Sequence, residues 1–201
     1  MLFRSEIMDE NTLKRLNKFF PNVTIKQTYG MSEISILRVK PEGNKSLWIK
    51  IDSKELQTKI IKKVLYIKSK KKMFGYLNNK SPFDKSGWYN TNDLVDKKGN
   101  FIKIIGRSKN IISIGGLKIL PSEIERIALK HPLIKNVKAK GIKNPITGQH
   151  IEIVCEPQKK ISVGILKRKL RNHFNLNLDP AIRPLKIIVK EVKISHRFKK
   201  Q

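Results

Sequence analysis

The sequence has few cysteines, few acidic residues and no long apolar segment. Its 201 residues include a single cysteine, Cys155, which excludes an intramolecular disulfide framework and a multi-cysteine zinc site. No run of about 18 apolar residues occurs, and the N-terminus lacks a basic region followed by an apolar one. We therefore expect neither a membrane span nor a secretory signal, and these absences favour a reducing, cytoplasmic location.

Acidic residues number only 16 against 44 lysines and arginines, so the formal net charge is +28. Such a charge suggests nucleic acid as a partner. However, lysine far outnumbers arginine, and the lysines are scattered in short groups such as Lys70–Lys72 and Lys199–Lys200. Arginine forks that read bases and aromatics interleaved with cations are not concentrated anywhere along the chain. We therefore expect solvated lysine faces and no specific nucleic-acid partner, and a basic polyanion-binding protein remains the less favoured alternative.

The first half of the chain predicts one helix and several short strands. Apolar spacing favours a helix over 10–20, stopped by Pro21, followed by a strand at 23–25. Further strands are predicted at 47–49, 58–61 and 64–67, with Lys62–Lys63 as the turn of the last pair. Strands at 93–95 and 101–105 flank a loop that contains Gly99, which is typical of a hairpin.

The second half, after a break at 106–109, predicts a small α+β unit. A helix starts at Pro121, because acidic residues follow in the first turn, and Ser162 is predicted to cap a second helix. Strands are predicted at 137–142, 151–156 and 185–189. Cys155 alternates with apolar residues in the second of these strands, so we expect it to be buried.

Four clusters combine residue types that can carry chemistry. They are Tyr29–Glu33, Gly87–Asp93, Gly106–Gly116 and the tail Ser195–Lys200. Each alone is also what a turn, a flexible loop or a basic terminus would show. The four histidines lack metal-ligand spacing, and no Ser/His/Asp triad can be argued from the sequence.

Together and in this order, these clusters resemble the acyl-adenylate-forming superfamily, which includes acyl-CoA synthetases, adenylation domains of peptide synthetases and firefly luciferase. The resemblance runs over essentially the whole chain. It implies ATP, Mg²⁺, and coenzyme A or the phosphopantetheine of a carrier protein as cofactors and acyl acceptor. The implied reaction joins a carboxylic acid to AMP and then transfers the acyl group to a thiol.

The resemblance also implies roles for residues of the first two clusters. Tyr29 would stack on adenine, Ser32 would contact the α-phosphate where the family usually has Thr, and Glu33 would hold Mg²⁺. Asp93 would bind the ribose hydroxyls, with Arg107 assisting.

Roles are implied for the remaining clusters as well. Lys109 falls at the hinge about which the C-terminal domain swings between the two half-reactions. Gly115 and Gly116 would line the pantetheine path. The tail of the family usually carries a catalytic Lys after Gly, and here Arg197 or Lys199 would act in its place.

The sequence departs from the family pattern at several positions. Asn92 stands where Gly usually precedes Asp93, and Arg4-Ser5 stands where a Gly pair is common before Glu6. Because Asn tolerates a left-handed backbone, we expect the turn at Asn92 to survive. The Ser/Thr/Gly-rich phosphate loop of the family does not occur in this sequence.

The resulting prediction is an α+β chain that forms the C-terminal portion of an acyl-adenylate-forming ligase. Residues 1–39 would be the end of the large domain, 40–105 a small β subdomain, and 106–201 the mobile C-terminal domain. We expect such a portion to be inactive alone. The main alternative is half of a split or decayed enzyme that acts only with a separately encoded N-terminal adenylation half.

Overall fold

The computed structural model describes residues 2–3, 8, 10–51 and 55–192, and the chain divides into two compact units. The first unit ends at Ser108 and the second starts at Lys109. A single 3₁₀ turn, Ser108–Asn110, spans this division. The predicted break at 106–109 thus begins at Ser108 rather than at Gly106, because strand pairing continues to Arg107.

The first unit opens with helix α1 and four short strands. Helix α1 (Glu10–Phe19) confirms the predicted helix and ends just before Pro21. Strands β1 (Leu2–Phe3) and β2 (Lys26–Gln27) pair in parallel, and β3 (Tyr29–Met31) and β4 (Ser35–Leu37) form an antiparallel hairpin.

The prediction of a strand at 23–25 is wrong, because the nearest strand, β2, begins about three residues later, at Lys26. Ile25 is buried, but it packs in a cluster with Leu13 and Leu47. Its apolar side chain therefore serves packing against α1, while strand pairing begins at Lys26.

A six-stranded antiparallel sheet forms the body of the first unit, in the order β5-β6-β10-β9-β8-β7. Its strands are β5 (Val39–Pro41), β6 (Ile49–Ile51), β7 (Leu56–Ile61), β8 (Val64–Ser69), β9 (Trp88–Lys98) and β10 (Phe101–Arg107). Both predicted hairpins are present, although each strand is longer than expected or shifted by a residue or two. The core packs on one face and includes Tyr29, Ile34, Ile49, Ile67 and Val95.

The β7–β8 turn is made by two lysines in left-handed conformation, with φ of +48° at Lys62 and +63° at Lys63. Positive φ at both central residues is the geometry of a type I′ turn, whose twist matches that of the paired strands. Asn and Gly are the usual residues of this turn. The six-residue ladder from Leu56 to Ser69 on either side of the turn holds this conformation in place.

The second unit is an α+β unit, as predicted. Strands β13 (Ile134–Asn144) and β14 (Gly148–Pro157) pair antiparallel, and β15 (Lys186–Val189) joins β14 in parallel. The other elements are the hairpin β11 (Ile112–Ile114) and β12 (Leu117–Ile119) and the helices α2 (Pro121–Leu129) and α3 (Val163–Asn177).

The core of this unit lies between the sheet and the two helices. It includes Ile124, Val137, Ile153, Leu166, Leu170 and Phe174. Cys155 is fully buried there, which confirms its predicted environment, and burial raises the pKa of its thiol to about 11. Ser162 occupies the N-cap position of α3, but its side chain makes no capping hydrogen bond, so that part of the prediction is wrong.

Within the described ranges, no helix combines the length and apolar character that crossing a bilayer requires.

Candidate functional site

Three of the predicted site residues meet in the first unit. The Tyr29 hydroxyl donates a hydrogen bond to Asp93 Oδ2 at 2.6 Å, and Arg107 Nε lies 3.1 Å from Asp93 Oδ1. Tyr29 begins β3, Asp93 lies within β9, and Arg107 ends β10, paired with Asp93 in the ladder. The fold therefore brings a phenol, a carboxylate and a guanidinium together from three separate strands.

The carboxylate of Asp93 is held in place by its local backbone. The Asp93 N–H donates to Thr91 Oγ1 at 3.1 Å, and the Thr91 hydroxyl donates to the Leu65 carbonyl at 2.7 Å. Asn92, between them, has a φ of +57°, so it adopts the left-handed conformation expected where the family has Gly. Its N–H donates to Asn90 Oδ1, which stabilises this irregularity in β9.

Burial dominates the electrostatics of this group. The Asp93 side chain is only 6% exposed, while that of its ion-pair partner Arg107 is 59% exposed. Burial raises the pKa of Asp93, although the Tyr29 hydrogen bond and the Arg107 charge oppose the rise. Burial and the neighbouring Asp93 charge raise the pKa of Tyr29 far above its usual range, so Tyr29 stays a hydrogen-bond donor at neutral pH.

Glu33, the predicted Mg²⁺ ligand, lies in the turn between β3 and β4 and is half-buried. Burial alone would raise the pKa of Glu33, but hydrogen bonds from Tyr76 and Tyr89 and the Arg107 charge lower it below its ordinary value. The Met73 N–H donates to the Glu33 carbonyl at 3.0 Å, which ties the segment after β8 to this turn. Glu33 is therefore an ionised carboxylate whose described side-chain partners are phenols.

Tyr76, Tyr89 and Thr91 were not identified from the sequence. Tyr76 and Tyr89 support Glu33 from positions distant in the sequence, whereas Thr91 accepts the N–H of Asp93 two residues away and is itself anchored to the Leu65 carbonyl. The sequence could have indicated Tyr89 and Thr91, because both lie inside the Gly87–Asp93 cluster that supplied Asp93. No local cue pointed to Tyr76.

The β3–β4 hairpin also fixes Ser32 and requires Gly30. Ser32 is exposed in the turn, next to Glu33. A Cβ on Gly30 would lie 2.6 Å from Ile36 Cα and 2.7 Å from the Ser35 carbonyl oxygen. Only glycine permits this close approach of the two strands.

The two predicted pantetheine-path glycines form the turn of the β11–β12 hairpin in the second unit. Gly115 and Gly116 have φ of +53° and +91°, the geometry that favours glycine at both positions of a two-residue hairpin. Both are exposed, and a Cβ on either would meet no neighbouring atom. The Gly115 N–H donates to the Thr147 carbonyl at 2.9 Å, which anchors the hairpin to the β13–β14 turn.

The remaining predicted residues have no described contacts that define a site. Lys109 is exposed within the 3₁₀ turn where the two units divide. Arg197 and Lys199 lie outside the described residues. Within the described part of the chain, no group of three or more His, Cys, Asp or Glu side chains could hold a metal ion.

A separate cavity of about 830 Å³ opens on the six-stranded sheet. Its apolar wall includes Trp48, Ile51, Leu65 and Ile102, and lysines lie at its rim. None of the predicted site residues that the structure describes lines it.

Comparison with known proteins identifies the class to which this arrangement is related. A mitochondrial medium-chain acyl-CoA ligase of Mus musculus is 34% identical over 138 residues, which is 66% of this chain and 22% of the relative. An acyl-CoA synthetase of Gibberella moniliformis is 32% identical over 118 residues, 56% of this chain and 21% of the relative. No family model matches the chain.

Solved structures share the fold at low sequence identity. ATP-bound MatB from Rhodopseudomonas palustris gives a TM-score of 0.84 at 17% identity over 98% of this chain and 42% of that structure. The o-succinylbenzoate CoA synthetase of Bacillus subtilis, in complex with its acyl-adenylate intermediate, gives 0.75 at 18% identity over 99% of this chain and 44% of that structure.

The resemblance stated from the sequence is therefore confirmed: the curated relatives are acyl-CoA ligases, and the structural neighbours are adenylate-forming enzymes. The chain spans about a fifth of the length of these curated relatives and about two fifths of the solved structures. Its extent is consistent with a C-terminal part of such an enzyme.

Proposed function

We propose that this chain is the C-terminal portion of an ATP-dependent ligase that forms an acyl-adenylate and transfers the acyl group to a thiol. The observation that carries the proposal is the buried Asp93 carboxylate, held between the Tyr29 hydroxyl and the Arg107 guanidinium. Asn92, directly before Asp93, adopts the left-handed conformation that the family's glycine at this position would allow.

Asp93 is suited to accept the hydroxyls of a ribose. Its Oδ2 accepts one hydrogen bond from Tyr29 and its Oδ1 forms an ion pair with Arg107, so each oxygen keeps a lone pair for a further donor. The Arg107 side chain is largely exposed, so it can shift to admit a nucleoside to Asp93 and would then lie next to the nucleotide.

Glu33 fits a role as a Mg²⁺ ligand. Mg²⁺ is usually held by one or two carboxylates together with substrate phosphates and water, so one ionised carboxylate suffices from the protein. When bound, Mg²⁺ supplies positive charge that stabilises the charge developing on the α-phosphate. The exposed Ser32 hydroxyl, one residue away in the sequence, would contact that phosphate.

The acyl acceptor would be the thiol of coenzyme A or of a carrier-protein phosphopantetheine. The exposed Gly115–Gly116 turn offers a side-chain-free surface along which a pantetheine arm can pass. Lys109 lies where the two units divide, which suits a hinge that absorbs a change of a few backbone angles.

We propose further that this chain does not adenylate a carboxylic acid unaided. Its sequence contains no Ser/Thr/Gly-rich loop that could cradle the triphosphate, although such a loop is expected by the resemblance. Acid-dependent ATP–pyrophosphate exchange catalysed by the purified chain would contradict this proposal.

Nucleotide titration of the isotopically labelled chain, followed by NMR, tests the role of Asp93. We expect AMP to bind about tenfold more tightly than 2′-deoxy-AMP, because a hydrogen bond to a charged carboxylate contributes roughly 1.5–3 kcal/mol. In Asp93→Asn this preference should fall to near unity. Equal affinity of the wild-type chain for the two nucleotides would overturn the assignment.

Asp96→Asn is the matched control. Asp96 lies on the same strand, and its side chain is 42% exposed and 3.9 Å from the Lys63 ammonium. The same charge is removed, but no hydrogen bond to the candidate site is lost. We expect the AMP preference to survive in this variant.

A complementing N-terminal adenylation half is supported by a second observation. Phe74 and Leu77 are fully exposed on the segment that Tyr76 and Met73 tie to Glu33. Apolar side chains this exposed beside a candidate site favour a surface that another part of the enzyme covers. Co-expression with the complementing half should restore exchange activity.

A further inference from the structure

Aromatic and cationic side chains that are distant in sequence meet on the outer face of strands β7, β8 and β9. The strand register pairs Lys59 with Tyr66 and Lys68 with Trp88. Because side chains alternate between the two faces of a strand, these four residues lie on the face opposite the buried Leu65 and Ile67. We call this surface the Trp88 patch.

The rings of the Trp88 patch face outward and are reached by an ammonium group. Lys59 Nζ lies 4.1 Å from the centroid of the Trp88 ring and 5.7 Å from that of the Tyr66 ring. Both rings are half-exposed. A base that stacks on this face of Trp88 would displace the Lys59 ammonium, which could then contact a neighbouring phosphate.

A third lysine converges on the same place. A Cβ built on Gly87 would lie 3.4 Å from Lys72 Nζ and 3.7 Å from Lys68 Cε. Both lysines therefore extend past the backbone that precedes Trp88. With Lys72 included, the patch combines the ammonium groups of three lysines with the rings of Trp88 and Tyr66.

The charge of the patch is not compensated. In the described part of the chain, no carboxylate forms an ion pair with Lys59, Lys68 or Lys72. The nearby carboxylate of Asp84 accepts hydrogen bonds from the Ser86 and Trp88 N–H groups instead.

The other tryptophan offers an internal comparison. Lys98 and Lys103 also lie over the ring of Trp48, at 5.9 and 5.2 Å. However, Lys98 forms an ion pair with Glu42, and Lys103 forms one with Glu10. Aromatic and cationic groups therefore occur at both tryptophans, but only the Trp88 patch has lysines that no described carboxylate neutralises.

We propose that the Trp88 patch binds single-stranded nucleic acid without regard to base sequence. Bases stack on Trp88 and Tyr66, while Lys59, Lys68 and Lys72 contact phosphates. Every base has a flat π-face, so stacking on aromatic rings tolerates any sequence, and lysines supply the charge that follows a flexible backbone. The scattered lysines of the sequence gave no sign of this, because the strand register alone assembles the patch.

Tryptophan fluorescence provides a direct test, since the chain has two tryptophans. In Trp48→Phe, the fluorescence reports on Trp88 alone. We expect saturable quenching by an oligothymidine of about 20 nucleotides at about 150 mM salt. An abasic oligonucleotide of the same length should bind more weakly and leave the fluorescence unchanged, because it has phosphates but no bases.

The reciprocal variant, Trp88→Phe, should show no quenching, because its remaining reporter is Trp48. The proposal would be overturned if the oligothymidine quenched Trp48 as strongly as Trp88. It would also be overturned if the abasic strand quenched Trp88 as strongly as the oligothymidine does.

A charge-matched pair of variants separates the patch from the general basicity of the protein. Lys59→Gln with Lys68→Gln removes two charges from the patch, and Lys167→Gln with Arg168→Gln removes two from helix α3. We expect the first pair to weaken binding about tenfold and to reduce the salt slope by about 1.4, since each single-strand phosphate contact contributes roughly 0.7. The α3 pair should weaken binding less than about twofold. Equal loss in both pairs would show that only net charge acts, and would overturn the proposal.

Discussion

Tyr29 and Asp93, 64 residues apart, share a buried hydrogen bond of 2.6 Å from phenol to carboxylate. Both residues are buried, so the loss of this bond would leave a polar group with little access to solvent. The bond joins the first strand of the β3–β4 hairpin to the six-stranded sheet. It also leaves little of the Tyr29 ring accessible, so adenine stacking on this ring would need the surrounding segment to open.

Removal of the Tyr29 hydroxyl should destabilise the first unit. Tyr29→Phe leaves a buried carboxylate without one of its two side-chain donors, which costs about 2 kcal/mol in the free energy of unfolding. Urea denaturation measures this loss. Tyr66→Phe is the control, because its ring is half-exposed on the sheet surface, and we expect a change below about 0.5 kcal/mol. Equal effects of the two substitutions would mean that the Tyr29–Asp93 bond adds nothing specific.

Acidification should destabilise the second unit through His131. Burial, then the neighbouring His173 and Lys169 charges, lower the pKa of His131 below its ordinary value of 6.5. The rings of His131 and His173 lie edge to face with centroids 5.3 Å apart. A histidine with a lowered folded-state pKa contributes stability that is present above pH 6.5 and is lost as the pH falls below it.

His131→Asn isolates this effect, because Asn keeps an acceptor for the Leu133 N–H, which lies 3.3 Å from His131 Nδ1. Lowering the pH from about 7.5 to about 5.5 should reduce the Tm of the wild type more than that of the variant. Thermal unfolding at several pH values measures both. Parallel curves for the two proteins would exclude His131 as the titrating group.

Two glycines of the second unit should respond to alanine with opposite signs. Gly115→Ala forces a side chain onto a backbone with φ of +53° and should destabilise by about 1 kcal/mol. Gly164→Ala lies in helix α3, where the new Cβ would meet only Ser162 Oγ at 4.0 Å, and should stabilise by roughly 0.5–1 kcal/mol. Chemical denaturation of the two variants checks both signs. A stabilising Gly115→Ala would show that the hairpin turn is not left-handed.

The exposed side chains of Phe74 and Leu77 should bind a hydrophobic dye. Phe74→Ser with Leu77→Ser should reduce dye fluorescence by about half or more without lowering Tm, because neither side chain is buried. Leu176→Ser is the control: this residue is 86% exposed and lies near the C-terminal end of α3, outside the 73–77 segment. A wild-type chain that is monomeric and binds no dye would contradict the expectation of a covering partner.

The elements with strong local signals could be predicted from the sequence. Helices α2 and α3 begin where Pro121 and Ser162 indicate, and the β9–β10 hairpin lies where alternation around Gly99 predicts it. The three-residue strands β11 and β12 were not predicted, because the segment around Gly115 and Gly116 shows no alternation long enough to mark them. The shift at Ile25 has a different cause: burial against α1 gives the same apolar pattern as a strand.

The candidate site was predictable as a set of residues but not as an arrangement. Tyr29, Glu33, Asp93 and Arg107 could be named from short motifs in a recognisable order. Their contacts depend on strand register, and the bond from Tyr76 to Glu33 crosses 43 residues without any local pattern. The same limit hid the Trp88 patch, whose members are unremarkable until β7, β8 and β9 pair.

The two units described above have separate interiors. The core of the sheet unit draws its buried residues from Tyr29 to Ile102, and that of the α+β unit draws them from Ile112 to Ile187. A crossover between codons 108 and 109 would therefore split no hydrophobic cluster of the described residues. Recombination at that point could exchange either half of the gene among related sequences while each half keeps its own core intact.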